Sequence, residues 1–170
     1  MGRTSPTEHP VTTSLSPDHA WLREAIDLAT RNVAAGGGPF GAVIIRGGEV
    51  IATGTNQVTP TLDPTAHAEV VAIRAACQVI GDFRLTGCVL VSSCEPCPLC
   101  LSAALWARVD RVVYAADRHD AAAAGFDDRE FHELFGRPRE TWSLPVHQVS
   151  TGEDTTPFSA WLARTDRVDY

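Results

Sequence analysis

At 170 residues, the chain fits one domain with room for a sizeable core. Apolar residues make up 44% of it, ordinary for a globular protein, and no apolar run reaches membrane-spanning length. The formal net charge of −7 argues against a broad nucleic-acid footprint, which needs clustered Lys and Arg; it leaves room for a local basic groove and suits a small neutral substrate.

Residues 1–15 are rich in Pro, Ser and Thr and lack apolar periodicity, which predicts a disordered arm ahead of one domain over 16–170. The stretch up to Pro17 also lacks the basic start and apolar segment of a signal peptide, so a cytoplasmic protein is expected. Ser16 reads as a helix cap, with Pro17 at the first helical position. Trp21, Leu22, Ala25, Ile26, Ala29 and Val33 follow at helical spacing, and Gly36 to Gly38 stop the helix. "FGAVIIR" and "EVIATGTN" flank Gly47-Gly48 and read as an antiparallel hairpin. "TPTLDPT" reads as a loop. A helix is expected from about Ala66 to Ile80, capped by Thr65 and stopped by Gly81. "CVLVS" is a strand apolar enough to be buried on both faces. A helix over about Pro98 to Arg108 and a strand "RVVYAA" come next. "DDREFHELFG" is helical, "VHQVS" a fifth strand and "PFSAWLART" a terminal helix. Strands alternating with helices after a hairpin imply a mixed sheet covered on both faces, an α/β protein. There is no internal repeat and no dividing linker.

"SSCEPCPLC" sets Cys94, Cys97 and Cys100 at three-residue steps. A reducing compartment disfavours disulfides, and five cysteines leave one unpaired, so metal binding or catalysis is the better reading. The ferredoxin pattern would continue with Cys and Pro, whereas Ala104 and Leu105 stand there. Cys97 and Cys100 share a face at a helix start, where free N–H groups and the positive helix end favour thiolates. Cys77, Cys88 and Cys94 are then small packing residues.

A catalytic zinc takes three protein ligands and keeps a fourth position open. His67 is the candidate third ligand, since "TAHAEVVA" places it in the first turn of the next helix back. Glu69 lies two residues on, and both reach one site only if the helix points its N-terminus there. Zinc lowers the pKa of water from 15.7 to about 7, and an uncoordinated carboxylate can carry the proton to a leaving amine. Taken singly, His67 could be a packed residue, "CPLC" a structural half-site or redox pair, and Glu69 a dipole-complementing carboxylate. Together, H-x-E followed by P-C-x-x-C match the signature of zinc deaminases.

"GGPFGAVII", "GTNQVT", "DPTAHAEVVAIRAAC", "SCEPCPLCLSA", "YAADRHDAAAAGFDD", "PFSAW" and the final Tyr170 resemble the cytidine deaminase superfamily, and within it the bacterial guanine deaminases. The resemblance covers everything but the N-terminal arm. It implies a three-layer sandwich whose central mixed sheet has five strands flanked by helices. It implies zinc held by His67, Cys97 and Cys100, with Glu69 shuttling protons as guanine is converted to xanthine and ammonia. Asn56, Phe40 and the N–H of Ala68 would contact the base. Asp128 would bind the guanine edge or act as a second proton shuttle. Guanine offers N1–H and a 2-amino group side by side, and an ionised carboxylate accepts two such bonds. Each of these has a plainer reading: Asp128 as the N-cap of "REFHELF", Asn56 as a strand end, Phe40 as core. Trp106 reads as core.

The terminal helix carries Phe158, Trp161 and Leu162 on one stripe, which must be buried against something. The resemblance implies a homodimer with exchanged C-terminal segments, each Tyr170 closing its neighbour's pocket; a frayed tail is the alternative. Rival substrates are a nucleoside, a pyrimidine or a triazine. A tRNA adenosine deaminase shares the motifs but fits the charge poorly. A zinc-stabilised binding module would have no use for Glu69.

Overall fold

The computed structural model describes residues 16–169. Helix α1 (Pro17–Ala34) begins with Pro at its first position, where a missing N–H costs nothing. Strands β1 (Gly41–Arg46) and β2 (Glu49–Thr55) form the expected antiparallel hairpin. Gly47 and Gly48 have φ of 60° and 89°, the positive values a two-residue turn between twisted strands requires. The short helix α2 (Val58–Thr61) occupies part of the stretch expected to be a loop. Then come α3 (Ala68–Ile80), β3 (Cys88–Cys94), α4 (Pro98–Trp106), β4 (Arg111–Ala116), α5 (Arg118–Ala123), α6 (Arg129–Leu134), one 3-10 turn at Arg139–Thr141 and α7 (Thr156–Ala163).

The sheet runs β2-β1-β3-β4. β1 is antiparallel to both neighbours, and β3 is parallel to β4 across α4. Alternation along β1 divides the core. Ala42 and Ile44 pack with Ala68, Ala72, Ala76 and Leu90 under α3. Val43 and Ile45 pack with Ala25 and Val91 under α1. Helices on both faces make three layers, as expected. Two glycines set the helices close to the sheet. A Cβ on Gly41 would lie 2.7 Å from the N of Ala29, and one on Gly54 would lie 2.5 Å from the N of Ala72. Neither strand position admits a side chain.

Four expectations need correction. The sheet has four strands among the described residues, because residues 146–150 lie exposed with no strand partner and the outer edge of β4 is open. Thr65 does not cap α3: its N–H and hydroxyl both donate to Asp63, and His67 holds the N-cap position. Trp106 is 61% exposed, with the Arg108 guanidinium 5.9 Å from its ring centre, so it is not core. The helix after the cysteines ends at Trp106, because Arg108 turns to φ 58°. Helix α5, with its capping box at Asp117 and Asp120, was not anticipated. The proposed arm (residues 1–15) and Tyr170 lie outside the described residues.

Candidate metal centre and active site

His67 is the N-cap residue of α3 and Cys97 the N-cap residue of α4. Both helices therefore present their N-termini at one point. The turn before α3 is fixed by Asp63, and β3 delivers the chain to Cys97 from the middle of the sheet. Cys100, one turn into α4, is fully buried. His67 Nδ1 lies 3.5 Å from each sulfur, and the two sulfurs are 3.6 Å apart. Tetrahedral zinc with Zn–S of about 2.3 Å and Zn–N of about 2.0–2.1 Å separates two sulfurs by about 3.8 Å and sulfur from nitrogen by about 3.6 Å. The three donors fit that ion in type, number and spacing.

Electrostatics fit as well. The hydrogen bond between the Cys97 and Cys100 sulfurs, reinforced by His67, draws the Cys97 thiol down to about 4. The same contact, together with burial, pushes Cys100 upward. The hydrogen bond with Cys97 raises His67.

Glu69 sits beside the trio and outside it. It is 6% exposed, its Oε1 accepts from Ser92 Oγ at 3.2 Å, and Oε2 lies 3.3 Å from Cys100 Sγ. Burial raises its pKa above the usual carboxylate range. Cys94, beside the site at the end of β3, is pushed up to about 11 by burial and contacts the Asp117 carbonyl. It is absent from the donor cluster.

Asn56 directly follows β2, its N–H donating to the Phe40 carbonyl and its Oδ1 accepting from Val58 N–H. Asn32 holds this corner: its Nδ2 donates to the Gly38 and Asn56 carbonyls at 2.8 Å each, and its Oδ1 accepts from Gln57. Sequence reasoning passed Asn32 over, although it falls three residues after Ala29 on the apolar stripe of α1, where a polar side chain asks for an explanation. Phe40 packs on the core and meets Phe126 edge-on at 5.0 Å. The pair borders an apolar cleft of about 560 Å³ between α1 and α5, which includes Cys94 but none of the three metal donors. Ala68 opens α3, so its N–H is one of the donors a helix start leaves without an intrahelical partner.

Asp128 stands at the N-cap position of α6, yet its side chain makes no capping bond. Its neighbour Asp127 is engaged by Arg129, whose guanidinium lowers it to about 2. Asp128 Oδ2 instead meets His132 Nε2 at 3.3 Å, and Oδ1 is buried with no hydrogen-bond partner. The Asp128 charge is felt at His67 and Cys94, which places it on the metal side of α6. Glu95 and Arg118 close the corner with a two-pronged ion pair that lowers Glu95 to about 2.

Residues 15–116 match the cytidine and deoxycytidylate deaminase zinc-binding region. The chain is 50% identical over 151 residues to guanine deaminase of Bacillus subtilis, covering 88% of this chain and 97% of that one. It superimposes on the crystal structure of guanine deaminase from Bacillus subtilis at a TM-score of 0.86, with 49% identity over 89% of this chain and 98% of that one. A solved structure in complex with 2,6-diaminopurine is 38% identical over 66% of this chain and 63% of its own, at a TM-score of 0.63. The tRNA-specific adenosine deaminase of Bacillus subtilis is 37% identical over 102 residues, which is 60% of this chain and 63% of that one. The likeness to the first two runs well past β4, while that to the tRNA enzyme spans a length close to the shared zinc region. With the donor trio, the buried carboxylate and the three-layer sheet in place, the chain belongs to the zinc-dependent deaminases of the cytidine and deoxycytidylate deaminase family.

Proposed function

We propose that this enzyme hydrolytically deaminates guanine to xanthine and ammonia. The observation that carries the substrate is the buried, unbonded Oδ1 of Asp128. A carboxylate accepts and never donates when ionised. It therefore pairs with the adjacent N1–H and 2-amino donors of guanine, a pair adenine lacks. Nearly full-length similarity to a guanine deaminase supports the same reading.

When bound at His67, Cys97 and Cys100, zinc makes a water-derived nucleophile available at neutral pH. The remaining work falls to side chains. Ser92 pins Glu69 Oε1, which leaves Oε2 to take a proton and return it to the departing amine. Asn56 and the Ala68 N–H grip the base, and Phe40 lies against its ring.

We infer a homodimer with exchanged C-terminal segments, in which Tyr170 covers the neighbour's pocket. Phe158 and Leu162 on α7 are 67% and 65% exposed, and Val149 is 80% exposed. Among the described residues Phe158 and Leu162 stay uncovered, and the outer edge of β4 has no partner strand. A cytoplasmic location suits five unpaired thiols. Among the described residues no helix is long and apolar enough to cross a membrane.

Ammonia release from guanine, guanosine, cytosine, cytidine and adenosine tests the substrate. Guanine alone should be turned over rapidly, and a chelator should abolish it. Faster release from guanosine or cytidine would overturn the assignment.

A further inference from the structure

Two adjacent aspartates meet different fates at the start of α6. Asp127 turns outward and is saturated by Arg129. Asp128 turns inward and keeps one buried oxygen unspent. The difference lies one turn further along. His132 is four residues on, its side chain is 8% exposed, and its Nε2 lies 3.3 Å from Asp128 Oδ2. A carboxylate is acceptor-only when ionised, so the imidazole must be the donor in this contact. The contact also replaces the capping bond that Asp128 would otherwise make back to α6.

We propose that His132 is the positioning residue for Asp128: its Nε2–H holds Oδ2 on the helix side and thereby turns Oδ1 toward the base. This rests on the reading of Asp128 as the acceptor for guanine. Without the imidazole, the carboxylate is free to rotate onto the open N–H groups at the start of α6, where aspartate caps helices readily. His132 would then set specificity without touching the substrate. The surroundings support a built arrangement. Arg118 is committed to Glu95 by a bidentate pair, so Asp128 does not have to compete for it.

The test uses the zinc-loaded enzyme and four variants: His132→Phe, which keeps bulk and loses the donor; His132→Gln, which restores an N–H; Asp128→Ala; and the double variant His132→Phe with Asp128→Ala. Steady-state kinetics on guanine, zinc content and thermal melts are read together. His132→Phe should lower kcat/KM about 10- to 10²-fold, the size of one hydrogen bond to a charged group. The loss should fall on KM, because a base contact made equally in ground and transition states is uniform binding. His132→Gln should recover most of it, and His132→Phe should cost nothing further once Asp128 is Ala. If His132→Phe melts early or loses zinc, His132→Met replaces it as the donor-free variant. Wild-type kinetics in the donor-free variant, with Asp128→Ala impaired, would overturn the inference and leave the role of Asp128 standing. Wild-type kinetics in Asp128→Ala would remove that role and this inference with it. An equal loss in both backgrounds would show that His132 acts on packing alone.

Discussion

Glu69 carries a burden that few carboxylates carry: it is nearly buried, bonded on one oxygen by Ser92 and set against a thiol on the other. Glu69→Gln keeps the shape and the Ser92 contact and removes the capacity to move a proton. Zinc content and melting temperature should stay near wild type while kcat falls about 10²- to 10⁴-fold, the usual worth of general acid–base catalysis. Turnover within threefold of wild type would take Glu69 out of the mechanism. The metal donors and this carboxylate were legible in the sequence because their spacing is short and their residue types are chemically narrow. Asn32 and His132 were not. Each works through a partner fixed by folding: Asn32 bonds Asn56, 24 residues away, and His132 bonds a residue that reads equally well as a cap. Asn32 stands out as a polar side chain on the apolar stripe of α1, but nothing in the sequence names its partner 24 residues away.

Among the elements, the decisive contact is that of α3 with β2, since α3 carries both His67 and Glu69 at its first turn. Gly54 lets the helix rest on the strand main chain, and an added Cβ would meet the backbone of Ala68 and Ala72. Gly54→Ala should therefore destabilise the fold by about 1–3 kcal/mol, the common cost of overpacking. It should also weaken zinc retention, because the start of α3 is what must move. Denaturant melts with a zinc release assay on the same samples check both; an unchanged release rate would mean that α3 is held by something other than this seat. Most elements could be read from the sequence, through the 3.6-residue stripe of α1, the Gly47-Gly48 turn and the apolar run of β3. The start of α3 could not. Thr65 is a good capping residue, and only the tertiary demand that His67 face the sulfurs moves the boundary two residues on. The exposed Trp106 fell outside the same reasoning, because helical spacing says which residues align and not which side is covered.

For the whole molecule, the tail is the part whose apolar side chains, Phe158 and Leu162 among them, lie open. The sequence pattern marked residues 146–150 as a strand, and the pattern is there, but a strand needs an edge to pair with. If two copies exchange tails, Glu69→Ala chains mixed with chains lacking Val168 to Tyr170, after partial denaturation, should regain activity. Each mixed dimer then holds one site with an intact Glu69 and a donated tail. No recovery, with each parent inactive alone, would mean that the tail folds back on its own subunit. An active truncated parent would show that the tail has no part in turnover. Within each copy the zinc donors have a second consequence. All five cysteines are free, so no covalent bond joins distant parts of the chain. His67 stands 30 residues before Cys97 and 33 before Cys100, with β3 in the span between them. An ion that ties these ends closes a loop as a cross-link would, and closing about 30 residues is worth about 3–4 kcal/mol on the chain-entropy account. The ion is thus a fastener as well as a reagent, and a chain that loses it loses its reactivity and its cohesion at the same place.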